Sequence, residues 1–382
     1  MYSLLDMILS MISKKPALSG GTAWLNSKPL SLKSLKGKVV LVDFWTYSCV
    51  NCLRTLLYIK KWDEKYSKDG LVVVGVHSPE FEFEKKLENV CEAVESLGIK
   101  YPVVLDSKYK IFKSFRNHVW PHKFLFDRSG KLRYEHSGEG NYEETEEEIR
   151  KLLSDEMFIL RSPQSDEVRE LRLKLENIPL ERDHTHKFGA VCYPQTAETY
   201  CGYLRGICAN KGGFRRNRRH VYTEELGKRR EVYADEAEGG RGVYTEELAE
   251  RRSAGIYDGE GIYLQGTWKS ERECLSHLRE SNLFEDYLLV LAKGVEVNAV
   301  CYSKKPCKVE VKFNGEYLDK SMVGEDVKFA PNGQTYFGVS TPRMYQIVKS
   351  QRYFQSKLQL FSNSSDFRIY AFTFGGCVHD TP

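Results

Sequence analysis

A chain of 382 residues is long for one domain and comfortable for two, and 41% hydrophobic with 29% charged residues is the balance of a globular protein. Its formal net charge of +4 is too small for this size to imply a pull toward nucleic acid. No run approaches the roughly 20 apolar residues of a membrane helix, and ten cysteines in 382 residues are too sparse for a disulfide scaffold.

The first 15 residues, MYSLLDMILSMISKK, lack a basic leading region, carry Asp6 inside the apolar stretch and place their lysines on the wrong side for an export signal. Residues 1–20 therefore read as a short helix or tail, and the cytoplasm is the expected compartment. Next comes VVLVDFW (39–45), a continuous apolar strand interrupted by Asp43. From Cys49 to Tyr66, Leu53, Leu56, Leu57 and Trp62 recur at helical spacing. LVVVGVH (71–77) is a strand, and Pro79 opens a helical segment with Phe83, Leu87, Val90 and Val94 on one face. YPVVLD (101–106) reads as a strand and KYKIFKSF (108–115) as a short helix. KFLFD, the turn Arg128–Ser129–Gly130 and KLRYEHS predict a hairpin, and YEETEEEIRKLL (142–153) a helix whose acidic start and basic end suit its dipole. Alternating strands and helices predict an α/β domain with a largely parallel centre over 21–160.

Residues 161–190 are a charged helical connector. After about residue 190, short aromatic strands with period-two alternation predict an all-β, jelly-roll-like sandwich over 191–382. A polar arm, 209–260, holds a repeat, VYTEELGKRR (221–230) and VYTEELAERR (243–252), which reads as a local duplication. Its arginines 215, 216, 218 and 219 are followed by Glu224 and Glu225, a self-neutralising solvated segment.

The chemistry concentrates in Cys49-Val50-Asn51-Cys52, at a strand-to-helix junction. Only a thiolate attacks a disulfide, and the unpaired N–H groups of a helix start stabilise such an anion. Spacing i, i+3 puts Cys52 on the same face, one turn deeper. Cys49 is then the nucleophile and Cys52 the resolving thiol. Zinc and inert packing are the competing readings. Structural zinc needs four ligands and no second CxxC exists, while His184, His186, Cys192, Cys201 and Cys208 are irregularly spaced for a separate site. Cys301 and Cys307 flank SKKP in a predicted hairpin, as either a cross-strand disulfide or two free thiols.

VDFWTYSCVNC resembles the active-site strand and helix of thioredoxin-like proteins. Within that superfamily the chain is similar to the soluble C-terminal region of DipZ-type thiol–disulfide oxidoreductases, through WLNSKPLSLKSLKGKVV, GVHSPEFEFEK, YPVVLDSKY, VWPHKFLFDRSG and HSGEGNYEETEEEIRKLL in order. TAETYCGYLRG (196–206) and the strands through FTFG (372–375) resemble the carbohydrate-binding-module-like domain of the same proteins. The resemblance implies that Asp43 is a buried acid that exchanges a proton with Cys52. It implies that Pro121 is a cis-proline facing the cysteines, leaving the Trp120 backbone free to pair with a substrate strand. Trp45 shields the site or belongs to the core. Glu80 and His122 are placed near the cysteines, His77 caps a strand in solvent, and Glu139 lies in a matched stretch.

No cofactor beyond a redox-active Cys49–Cys52 disulfide and no metal is expected. The implied partners are protein dithiols or disulfides, an electron donor or acceptor, and carbohydrate through the second domain. The membrane electron-transfer domain of the full-length relatives has no counterpart in these residues, which leaves the electron donor and the compartment open; an extracytoplasmic location, as for the membrane-fused relatives, is the alternative. Two other functions remain open: a thiol peroxidase, since Thr46 stands three residues before Cys49 as peroxide chemistry requires, and a glycan-binding or scaffold protein with a vestigial redox domain.

Overall fold

The computed structural model describes residues 16–154, 170–181 except 172 and 176, 192–222 except 211 and 212, and 261–377 except 282. The repeat beyond Tyr222, His184 and His186 lie outside these residues. The chain divides into two units, Met1–Lys187 and Phe188–Pro382.

The first unit is built on a six-stranded sheet, β1 (Ala23–Leu25), β2 (Val39–Trp45), β3 (Leu71–His77), β4 (Val103–Leu105), β5 (His122–Phe126) and β6 (Leu132–Ser137), in the order β1-β4-β3-β2-β5-β6. β2, β3 and β4 are parallel, and β1, β5 and β6 add antiparallel edges. Every residue of β2 is buried, because both faces of a central strand are covered; this is why it reads as an unbroken apolar run. Helices α1 (Val50–Tyr66), α2 (Leu87–Ser96) and α3 (Lys110–Ser114) run between strands, and α4 (Tyr142–Leu153) follows β6. Phe44, Phe112, Phe115 and Phe124 meet edge to face in the core under β2, the arrangement ring quadrupoles favour. The β5–β6 turn is closed by Asp127, whose carboxylate accepts from the N–H groups of Ser129 and Lys131.

The helix expected from Pro79 starts only at Leu87. Residues Glu82–Lys85 form a separate 3-10 turn, with the Glu84 carboxylate accepting the N–H groups of Glu80 and Phe81 at its approach. Of the four residues expected on one helical face, Phe83 is therefore buried from the turn, Val90 and Val94 from α2, and Leu87 is exposed. In the connector, residues 170, 171, 173–175 and 177 are helical; Lys174 pairs with Asp69, and Glu181 with Lys61 and Lys65 of α1.

The second unit is all β among its described residues. Hydrogen bonds join its eleven strands, β7 to β17, into one antiparallel sheet that includes the short β7 (Thr199–Tyr200), β10 (Leu275–His277), β13 (Glu316–Tyr317), β14 (Lys328–Phe329) and β15 (Thr335–Val339). Two long strands, β11 (Tyr287–Ser303) and β16 (Arg343–Ser362), pair along most of their length, with a register shift between Gly294 and Glu296 where β11 bends. β11 pairs β9 (Ile262–Ser270) with its first half and β17 (Phe367–Gly375) with its second. Trp268, Tyr222, Tyr345, Phe337 and Phe367 are fully buried in its core. Part of the expected polar arm is structured: β8 (Arg219–Tyr222) pairs with β9.

Cys192 and Cys377 form a disulfide across 185 residues of sequence, tying together the two ends of this unit. With Cys192 so engaged, the irregular zinc set loses one ligand. Cys301 and Cys307 are free thiols, and the expected hairpin between their strands does not form. β12 (Cys307–Phe313) pairs with β16, which lies between it and β11, so the two cysteines are not cross-strand neighbours.

Candidate active site

β2 ends at Trp45, and a turn through Thr46, Tyr47 and Ser48 hands the chain to α1. Cys49 is the N-cap of that helix, with extended backbone, and its Sγ accepts the Cys52 N–H at 3.4 Å. The N-cap is normally a Ser, Thr, Asn or Asp oxygen; here a sulfur takes the role. Cys49 is half-buried and Cys52 is 2% exposed; both are free thiols. Burial pushes the Cys52 thiol well above its ordinary range, and its hydrogen bond to Cys49, the Cys49 charge and the Asp43 charge push it the same way.

Asp43, two residues before the end of β2, is 1% exposed, and its Oδ1 is buried with no hydrogen-bond partner. Loss of hydration raises its pKa from 3.8 to about 7, against an opposing pull from Lys123. Lys123 stands directly opposite on β5, itself fully buried. Its Nζ donates to the Gly138 and Gly140 carbonyls at 3.4 and 3.3 Å and lies 5.1 Å above the Tyr142 ring.

The Trp120–Pro121 peptide is cis. His122 pairs with Phe44 in the β2–β5 ladder, so Pro121 stands at the C-terminal end of β2, the end from which the chain runs into Cys49. Trp120 is half-buried, its ring 5.0 Å from Phe112 and its Nε1 without an acceptor.

Trp45 and His122, both expected at the site, are buried side chains. Trp45 is 1% exposed and meets the His77 ring edge-on at 5.2 Å; its surface belongs to the core. His122 is 8% exposed, its ring lies tilted against Phe124 at 4.2 Å, and its Nδ1 hydrogen-bonds with Asn117 Oδ1 at 2.8 Å. Burial, with the positive neighbours His136, Lys123 and His118, lowers its pKa to about 4. His77 is not a solvated strand end either. It is buried, stacks on Tyr47 at 5.5 Å, and burial drives its pKa to about 3. Glu80 donates its backbone N–H to Glu84, and Glu139 pairs with Arg54 of α1 at 3.5 Å.

Sequence reasoning missed three residues here. Lys123 was legible in principle, as a lysine within the apolar run opposite the anomalous Asp43. Asn117, whose Oδ1 also accepts from the N–H groups of His118 and Val119, sits in a loop with no periodic signal. Glu84, fully buried beside the Thr46–Ser48 turn, was hidden in the alternating stretch EFEFEK, which reads as a solvated face.

Residues 13–153 match the Redoxin family and residues 237–375 the Thioredoxin like C-terminal domain family. Protein DipZ of Mycobacterium tuberculosis is 46% identical over 152 residues, which are 39% of this chain and 22% of that protein. The chain thus matches less than a quarter of the length of this relative. The thiol–disulfide oxidoreductase ResA of Bacillus thuringiensis is 30% identical over 128 residues, 34% of this chain and 71% of ResA. Among solved structures, a thioredoxin-like protein in its oxidized form is 27% identical, with a TM-score of 0.34, covering 37% of this chain and 98% of its own. With an α/β domain of this topology, and with ResA matched over 71% of its length at 30% identity, the chain belongs to the thioredoxin-like thiol–disulfide oxidoreductases.

Proposed function

We propose that the chain exchanges disulfides with protein substrates through Cys49 and Cys52, with no redox group other than this dithiol. The Cys49 thiolate attacks one sulfur of a substrate disulfide. The substrate S–S bond breaks, one substrate sulfur leaves as a thiolate that takes a proton, and Cys49 is held in a mixed disulfide. Cys52 then gives its proton to Asp43 and attacks Cys49 Sγ, expelling the second substrate thiolate. Two electrons have passed to the substrate, which is now a dithiol, and the protein carries a Cys49–Cys52 disulfide. A second dithiol, from an external partner, restores the reduced state, and the same steps in reverse oxidise a substrate.

One observation carries this reading: the half-buried sulfur of Cys49 caps α1 and accepts the N–H of the buried Cys52. This supports the outer thiol reacting first and the inner one resolving. Asp43 adds a proton acceptor that titrates near neutrality within electrostatic reach of Cys52. Pro121, at the same end of the sheet, leaves the Trp120 strand edge as the docking line for a substrate backbone. The peroxidase alternative is disfavoured, because the Thr46 hydroxyl is fully buried and donates to Glu84 at 2.6 Å rather than facing Cys49 chemistry.

The test is a trap. Cys52→Ser, expressed as the full chain, accumulates mixed disulfides at Cys49 that mass spectrometry identifies, while Cys49→Ser accumulates none and loses insulin-disulfide reduction. If Cys49→Ser reduces insulin as wild type does, the reading is wrong. Faster consumption of hydrogen peroxide than of insulin disulfides by the reduced protein would favour the peroxidase instead.

A further inference from the structure

Glu84 has no part in the exchange described above, yet it is fully buried and no basic side chain pairs with it among the described residues. A buried carboxylate without a cation is costly unless donors surround it. Here five do. Oε1 accepts from Thr46 Oγ1 at 2.6 Å, Ser48 Oγ at 2.7 Å and the Ser48 N–H at 3.2 Å. Oε2 accepts from the N–H groups of Glu80 at 2.5 Å and Phe81 at 3.0 Å. Burial raises the Glu84 pKa, while the Thr46, Ser48 and Phe81 donors oppose that rise.

The donors come from two segments. One is the 3-10 turn's own approach, Glu80–Phe81. The other is Thr46–Ser48, the whole connection between β2 and Cys49. The connection is held at its other contacts too: His77 Nε2 lies 3.3 Å from Thr46 Oγ1, Tyr47 stacks on the His77 ring, and the Cys49 N–H donates to the Thr46 carbonyl at 3.4 Å. Since the Thr46 hydrogen points at Glu84, the imidazole must be the donor to Thr46. Only an acceptor-only group satisfies all five donors; an amide in its place would turn one side into donor against donor.

We propose that Glu84 is a positioning residue for disulfide exchange: its carboxylate locks the Thr46–Ser48 connection and thereby sets Cys49 Sγ at the head of α1, where the Cys52 N–H reaches it. The proposal rests on the Cys49/Cys52 reading. The hydrogen bond from the Cys52 N–H to Cys49 Sγ, 3.4 Å long, depends on where the Ser48 backbone sets the sulfur. Any slack in the residue before Cys49 therefore removes a donor from the attacking sulfur.

The experiment compares full-length wild type, Glu84→Gln, Ser48→Ala and Thr46→Val. Two quantities are read below each protein's unfolding transition: the single-turnover rate of mixed-disulfide formation with oxidised glutathione, and the equilibrium of the dithiol with the glutathione couple. Glu84→Gln should slow the first step about tenfold or more, since small misplacements of reacting groups cost that much. It should also move the equilibrium about tenfold toward the protein disulfide, about 30 mV for a two-electron couple. Ser48→Ala keeps the carboxylate and cuts one donor, so it should move both quantities in the same direction by less. That separates positioning from the loss of negative charge. A lower melting temperature with unchanged rate and equilibrium would make Glu84 merely structural and overturn the proposal. If Glu84→Gln does not fold, unchanged exchange in both Ser48→Ala and Thr46→Val overturns it equally. A wild-type protein that forms no mixed disulfide defeats the underlying function; a competent wild type with an indifferent Glu84→Gln defeats this inference alone.

Discussion

Replacing Asp43 by Asn tests the proton transfer proposed for the resolving step. Asp43 titrates near 7 in the folded protein against 3.8 unperturbed, a difference of about three units, or about 4 kcal/mol of preference for the neutral form. Because the folded value lies above the unfolded one, the native state keeps a proton that the unfolded chain has released between pH 4 and pH 7. Stability therefore falls as pH rises through that window and is lowest above pH 7. Asp43→Asn removes this dependence. At pH 8 the variant should be more stable by up to about 4 kcal/mol, less whatever Lys123 loses by facing an amide instead of a carboxylate. Catalysis should go the other way. The Cys52 thiol is held far above its ordinary range by burial, so water is a poor acceptor for its proton. A positioned base is worth about 100-fold or more. Acid-quenched mixing with a disulfide substrate, followed by mass spectrometry, resolves the lifetime of the mixed disulfide. In wild type its decay should accelerate with pH and level off above about 7. In Asp43→Asn it should be about 100-fold slower at pH 7 and lack that inflection. A variant that is stabilised at pH 8 yet resolves at the wild-type rate would show that Asp43 is a buried cost with no role as base.

Lys123→Met removes the charge that opposes the Asp43 shift, so the inflection in mixed-disulfide decay should move above pH 7 and the rate at neutrality should fall; an unmoved inflection refutes the electrostatic pairing. His77, lowered to about 3 by burial, stays neutral through the physiological range. As its folded pKa lies below the unfolded 6.5, it withdraws up to about 5 kcal/mol of stability as pH falls from 6.5 toward 3. His77→Phe should be less acid-sensitive than wild type in chemical denaturation, and an identical acid limb contradicts the assignment. Loss of the Cys192–Cys377 bridge, which closes a 185-residue separation, should lower the stability of the second unit by at most about 5 kcal/mol in the chain-entropy account. Denaturation of Cys192→Ala with and without reductant reads this, and equal midpoints in wild type and variant refute it.

What could be read from the sequence is what leaves a local trace. VVLVDFW announces a strand covered on both faces, and the acid inside it is anomalous because an unpaired carboxylate in such a run is costly. The Cys49/Cys52 spacing at the following helix start carries its own chemistry, and Pro121 came through the resemblance. What could not be read depends on partners distant in the chain. Nothing near Cys192 points to Cys377, and the short interval between Cys301 and Cys307 invites a hairpin that β16, arriving some forty residues later, pre-empts by inserting between their strands. Trp45 and His77 belong to neighbouring parallel strands and become internal only because they meet each other across that ladder. Glu84 is the sharpest case. In EFEFEK each acid looks equally solvated, and burial of the third follows from the hydroxyls of Thr46 and Ser48, nearly forty residues earlier, and not from any property of its own segment. The nucleophile of such a site is written locally, whereas the groups that hold it in place are written in the tertiary contacts of the turn before it. A variant series confined to the CxxC would therefore leave Glu84 and the Thr46–Ser48 connection untested.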